Sequence, residues 1–205
     1  MKRDVLFLWI PKNAGSSIEW SLGLRRFPEH INLRDFRNRG QVTFCHMPVD
    51  LLVSGGYINL DFLRSAYKFT FIRNPFDRAV SLFEYSKKIG LVDRDTSFLS
   101  VLKQVKNGIA PPGLYRSKGL SQWNPQSRFM GSIPFDFIGR FERIHDDFAD
   151  LCQVLGVGPR DLAHRNETEW EFSHYTQYYT EESRTLVEEI YSEDLIRFDY
   201  NFINL

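Results

Sequence analysis

The chain has 205 residues, 42% hydrophobic and 25% charged, and its 26 Lys+Arg are balanced by 26 Asp+Glu. That composition excludes wholesale disorder, and the zero net charge excludes a global basic field of the kind that binds nucleic acid. No apolar run approaches the ~20 residues of a membrane-spanning helix, and Cys45 and Cys152 sit in no CxxC or Cys/His cluster that would hold zinc.

Residues 5–10 (VLFLWI) form a continuous apolar run closed by Pro11, the pattern of a strand buried on both faces in a parallel sheet. A turn-rich segment, Pro11 to Ser17, leads to apolar residues at helical spacing from Ile18 to Leu22, with Ser16 or Ser17 as the N-cap. Lys2 and Arg3 precede an apolar run too short for a signal-peptide core, so a cytoplasmic protein is expected if Met1 is the natural start.

Further strands are expected at 41–46, 67–72 and 136–141. Asn74 and Pro75 suit a cap and first turn, and Phe76, Ala79, Val80 and Phe83 then fall on one helical face. Ile144, Phe148, Leu151 and Leu155 make a second stripe, ended by Gly156. A last helix spans about Glu181 to Ser192. Strands alternating with helices predict an α/β fold with a mainly parallel central sheet flanked by helices, as one domain over 1–205. Residues 89–127 hold one short helical pattern and a Gly/Pro-rich loop, an excursion of the sort that grips a substrate.

The chemistry concentrates in two places. A loop between a buried strand and a helix directs N–H groups inward, and the helix start adds partial positive charge, which together make an anion cradle. Lys12 supplies a cation there, Gly15 close backbone approach, and Ser16 and Ser17 hydroxyls; on its own the segment reads equally as a capped turn. It is not a nucleoside triphosphatase loop, because the lysine precedes the glycine instead of following it. Arg73 follows the third strand and Ser81 lies about two turns into the next helix. Arginine and hydroxyl can grip a second phosphate, or Arg73 can pair with Asp77 while Ser81 faces solvent; spacing does not choose.

Residues 10–17 (IPKNAGSS) resemble the 5′-phosphosulfate loop of sulfotransferases that use 3′-phosphoadenosine 5′-phosphosulfate (PAPS). Arg73-Asn74-Pro75 through Ser81 resembles their 3′-phosphate motif. The likeness is greatest to the carbohydrate branch, which includes the heparan sulfate 2-O- and chondroitin sulfotransferases. It continues through 124–128, 138–142 with Asp147-Phe148, and 178–181 to Tyr191, Asp194 and 198–200. Asn13 and Ala14 depart from the usual Thr-Gly of the loop, and Asn74 replaces a common Asp.

The resemblance implies a three-layer P-loop-like fold, PAPS as donor, the adenosine 3′,5′-bisphosphate (PAP) as product, and no metal. It makes Lys12 the group that stabilises the leaving phosphate, with Asn13, Ala14, Gly15, Ser16 and Ser17 binding the 5′ end, Arg73 and Ser81 the 3′-phosphate, and Asn166 a late loop over the nucleotide. His46, ending the second strand, is the expected base, since an imidazole titrates near neutrality. Gln126 and Arg128 are expected to face the acceptor or its sulfate, and Arg116 and Lys118 either grip an acidic acceptor or belong to a solvated charged loop. The expected function is sulfuryl transfer to a hydroxyl, on a saccharide or glycolipid. Alternatives are a P-loop-like kinase or NTPase, and an inactive nucleotide- or glycan-binding module.

Overall fold

Every residue of Val5–Trp9 is buried, and this strand, β1, is the centre of the sheet around which the rest is arranged. The computed structural model describes residues 3–27, 36–109, 121–165 and 170–203. Besides β1 the strands are β2 (Arg25–Phe27), β3 (Gln41–Cys45), β4 (Tyr67–Ile72) and β5 (Phe137–Arg140). They form one sheet in the order β2-β3-β1-β4-β5, with every neighbouring pair parallel. The helices are α1 (Gly15–Leu22), α2 (Val49–Ser54), α3 (Leu60–Ser65), α4 (Pro75–Lys88), α5 (Phe98–Lys106), α6 (Gln126–Met130), α7 (Ile144–Leu155), α8 (Glu181–Ile190) and α9 (Ser192–Phe198). The α/β class with a central parallel sheet flanked by helices is as expected.

The register pairs Trp9 with Cys45 and Leu8 with Thr70, so β1, β3 and β4 end level with one another. The chain builds β3 on one side of β1 and then crosses to build β4 on the other. β1 is therefore the topological switch point, where open parallel sheets bind ligands beyond the strand ends.

The chain divides into two compact units, Met1–Ile72 with Arg128–Asn166, and Arg73–Ser127 with Glu167–Leu205. In the first, alternate residues Val5, Phe7 and Trp9 of β1 pack with Ile18 and Leu22 of α1 and Phe148, Leu151 and Leu155 of α7. The α7 stripe and its Gly156 end, with φ 64°, follow the sequence pattern. In the second unit, Phe76, Val80 and Phe83 of α4 pack with Val101 and Leu102 of α5, Trp123, and Val187 and Tyr191 around α8. Lys103–Glu182 and Lys106–Glu189 pairs tie α5 to α8 at the surface. Asn74 Oδ1 accepts from the Phe76 N–H at 3.0 Å and Pro75 opens α4, as the sequence predicts.

Two features differ from the sequence reading. The N-cap of α1 is Ala14, in left-handed conformation, while Ser16 and Ser17 lie within the first turn. β2, α2, α3, α6 and α9 had no counterpart in the sequence pattern. Among the described residues no helix is long and apolar enough to cross a membrane.

Candidate active site

The carboxyl ends of β1 and β3 carry backbone conformations that L-residues avoid. Lys12 (φ 68°) and Ala14 (φ 59°) follow β1, and His46 (φ 58°) follows β3. Each left-handed residue costs roughly 1–2 kcal/mol, so the surroundings must hold it. Two bonds do so. The buried Asn13 side chain donates to the Phe71 carbonyl of β4 at 2.7 Å, and the His46 N–H donates to the Trp9 carbonyl at 3.1 Å.

This turn shapes an anion cradle. Left-handed residues at 12 and 14 bend the chain as in a nest, which turns main-chain N–H groups to one side. The Ser17 and Ile18 N–H groups donate to the Ala14 carbonyl at 3.0 and 3.1 Å, and the amides before them lie too early in α1 to meet a carbonyl of the helix itself. Ala14 contributes no capping side chain, and the first turn holds no acid. The N-cap thus adds no side-chain bond to the positive end of α1, and an anion suits that end. Lys12 is half-buried beside it.

Trp9 underlies both parts. Its indole lies against the α-carbon of Gly15, so that a Cβ there would sit 2.0 Å from Nε1. Its ring centroid is 5.1 Å from that of His46. Position 15 is therefore a glycine because of Trp9 packing, whatever the loop binds.

Ser17 is buried, and its Oγ accepts from the Arg165 N–H at 3.3 Å. Residues 160–165 run along α1: Arg160 donates to the Ser21 carbonyl at 2.7 Å, the Ala163 N–H to Ser21 Oγ at 2.8 Å, and the Arg165 guanidinium stacks on exposed Trp20 at 3.6 Å. Ser17 and Ser21 thereby fix where this segment lies. Asn166, the next residue, is outside the described residues, as are Arg116 and Lys118.

In the second unit, Arg73 is buried and its guanidinium is bidentate on Asp77, with Nε to Oδ2 at 2.7 Å and Nη2 to Oδ1 at 2.8 Å. Trp170 lies 5.7 Å from the guanidinium carbon. Ser81 is also buried, one turn beyond Asp77 on α4, so the solvent-facing alternative for it does not hold. The Asp77 pair weakens Arg73 as a net charge but fixes the plane of its fork.

Arg73 is held from behind by Gln126. Expected to face an acceptor, Gln126 is instead fully buried, with Oε1 accepting from the Arg73 N–H at 2.9 Å and Nε2 donating to the Arg73 carbonyl at 2.8 Å. Buried Asp194 accepts the N–H groups of Gln126 and Ser127 at 2.6 and 2.8 Å. Burial pushes its carboxyl upward, opposed by those bonds and by Arg78. Arg78, 1% exposed, donates to the Gln122 and Asn124 carbonyls at 2.8 and 3.0 Å. Burial pulls its guanidinium downward, opposed by Tyr191 and Asp194. Arg128, in the first unit, pairs with Asp50 at 2.9 Å on an exposed surface. Among the described residues no group of three or more His, Cys, Asp or Glu is placed to hold a metal.

Trp9, Asp194 and the buried roles of Asn13 and Gln126 were not legible as site features. Their partners are 53 or more residues away or, for Gly15, hidden in a side-chain packing, and no local pattern marks them.

A parallel α/β sheet with an uncapped helix start and a lysine at its switch point is an anion-binding architecture. The profile of the sulfotransferase family matches residues 2–201, and the chain belongs to that family. A solved structure, a sulfotransferase from Alicyclobacillus acidocaldarius, superposes with a TM-score of 0.52 over 97% of this chain and 95% of that one, at 15% identity, a likeness of fold. No curated protein matches the sequence. The protein is an enzyme of sulfuryl transfer that takes PAPS as donor. Within the first unit, the start of α1, whose N-cap gives no side-chain bond and whose first turn holds no acid, suits a phosphate group of such a nucleotide.

Proposed function

We propose that this sulfotransferase acts on a hydroxyl of a saccharide or glycolipid. The cradle of Lys12, Asn13, Ala14, Gly15, Ser16 and Ser17 takes the 5′ end of the donor, and Arg73 and Ser81 take its 3′-phosphate. When bound, PAPS supplies a sulfuryl group on a phosphate leaving group, and transfer proceeds in line to an acceptor oxygen. Lys12 and the first amides of α1 stabilise the negative charge that builds on the leaving phosphate. His46 takes the proton of the attacking hydroxyl.

The observation that supports this most is the strained turn: Lys12, Ala14 and His46 are all left-handed at neighbouring strand ends, and strain of that kind collects where function requires a fixed geometry. Asn13 enters the scheme through its main chain, because its side-chain amide is committed to Phe71. The carbohydrate acceptor rests on the likeness of residues 10–17 and 73–81 to the carbohydrate branch.

Incubation with isotopically labelled PAPS and a panel of saccharides, glycolipids, phenols and peptides, read by mass spectrometry, tests the reading. Label on a sugar hydroxyl is the expected result. Label confined to phenols or peptides overturns the acceptor class. Magnesium-dependent ATP turnover with no sulfate transfer overturns the whole assignment.

A further inference from the structure

We infer that Gln126 is a positioning residue that makes the Arg73 fork selective for nucleotides phosphorylated at the 3′ position. The inference rests on the proposed role of Arg73 and adds to it a residue that acts through the Arg73 main chain.

The sheet ladder ends one residue before Arg73: the register of β4 with β5 closes at Ile72 opposite Arg140. One primary amide then takes over, holding both the N–H and the carbonyl of Arg73. This is the two-bond exchange that a neighbouring strand residue makes in a ladder. The Arg73 main chain is thereby held at both its N–H and its carbonyl where the chain leaves β4 for α4. Asp77 fixes the guanidinium end of the same residue. An arginine tethered at both ends has lost its rotamer freedom before any ligand arrives, and a preorganised fork does not spend binding energy on ordering itself.

The tether is itself anchored. Asp194 of α9 holds the Gln126 and Ser127 amides, and Arg78 of α4 holds the Gln122 and Asn124 carbonyls. Gln126 is thus presented by a buried polar network that holds the segment 122–127, and its own side-chain amide makes the two bonds that reach the Arg73 main chain. A surface amide could not do this; Gln126 is 0% exposed.

The test is calorimetric titration of the full chain with adenosine 3′,5′-bisphosphate and with adenosine 5′-monophosphate. Wild type is expected to prefer the bisphosphate. Gln126→Met keeps the shape and removes both bonds; it is expected to weaken the bisphosphate by about tenfold, the worth of one lost buried hydrogen-bonding arrangement, and to leave the monophosphate unchanged. Gln126→Asn keeps a neutral amide one methylene shorter, so one of the two bonds is lost; an intermediate loss is expected, and this variant guards against a Met variant that does not fold. Equal weakening of both nucleotides, or of neither, overturns the inference while leaving the nucleotide site standing. A wild-type protein without any preference for the bisphosphate overturns the Arg73 assignment itself, and this inference with it.

Discussion

The Trp9 indole fills the space that a side chain on residue 15 needs, with Nε1 2.0 Å and Cδ1 2.1 Å from the position of a Cβ on Gly15. Both atoms belong to a rigid ring that is 6% exposed, so neither can step aside as the end of a flexible chain would. The start of α1 can therefore approach β1 only as glycine. Gly15→Ala is expected to destabilise the protein by about 1–3 kcal/mol through overpacking and to weaken adenosine bisphosphate binding as α1 is pushed off the strand. In a Trp9→Leu background the same alanine meets a smaller, flexible group, and its added cost falls. Urea denaturation of the two single variants and the double variant measures the coupling; strict additivity would mean that the indole is not what excludes the methyl group.

Asn13 links the cradle to the sheet through one buried bond to the Phe71 carbonyl. Asn13→Ala takes the short bond from that buried acceptor and leaves it the long Thr70 Oγ1 contact at 3.5 Å, and a loss of roughly 1–3 kcal/mol in stability is expected. Because the bond also braces the left-handed residues on either side, nucleotide affinity falls in the same variant. A thermal melt paired with calorimetry reads both. An intact melting temperature with intact affinity would show that the loop is held by other contacts.

Much of this was legible because burial on both faces leaves a plain signature. Residues 5–10 read as a strand because one buried on both faces has no polar side, 41–46 and 67–72 read as strands from apolar-rich runs stopped by turn residues, and α7 reads as a helix from its stripe and its terminal glycine. β2 is three residues with two exposed arginines at a sheet edge, so it shows neither alternation nor a run. α2 and α3 are six residues each, shorter than two turns, and give no period to detect. Ser16 and Ser17 have the side-chain chemistry of caps; the cap is Ala14 because the loop makes its turn two to three residues earlier, in a conformation that alanine does not advertise. Arg73 and Ser81 stood out as chemistry-bearing types, whereas Gln126 acts at a separation of 53 residues that no local pattern encodes.

Lys12 and His46 are assigned different tasks, and their variants should separate. Lys12→Ala removes a cation from the leaving phosphate, so turnover falls by about 10²–10³ and nucleotide affinity falls too. His46→Ala is expected to lower turnover by about 10²–10⁴ with adenosine bisphosphate affinity unchanged. Single-turnover sulfate transfer alongside calorimetry resolves the two patterns. A His46→Ala protein at full turnover would remove that residue from proton transfer and leave Lys12 untouched.

Cys45, on β3 one residue before His46, is nearly buried, and burial pushes its thiol up to about 11 against the opposing field of Arg26. Cys152 is likewise raised by burial, opposed by Arg160. At pH 8 the Cys45 thiolate is then a fraction of about 10⁻³, and thiolate is the reactive form. Native protein is expected to react only slowly with a disulfide reagent, with two thiols released on unfolding in urea. The same shift has a stability consequence of definite sign. The folded state favours the neutral thiol, so the contribution is fully present below the ordinary thiol value of 9.0 and is lost as pH rises through about 11. Urea denaturation between pH 8 and 11.5 should therefore show a steeper decline for wild type than for Cys45→Ala. Parallel declines, or rapid reaction of Cys45 in the native protein, would mean that the end of β3 opens far more readily than its packing against Trp9 and α1 allows.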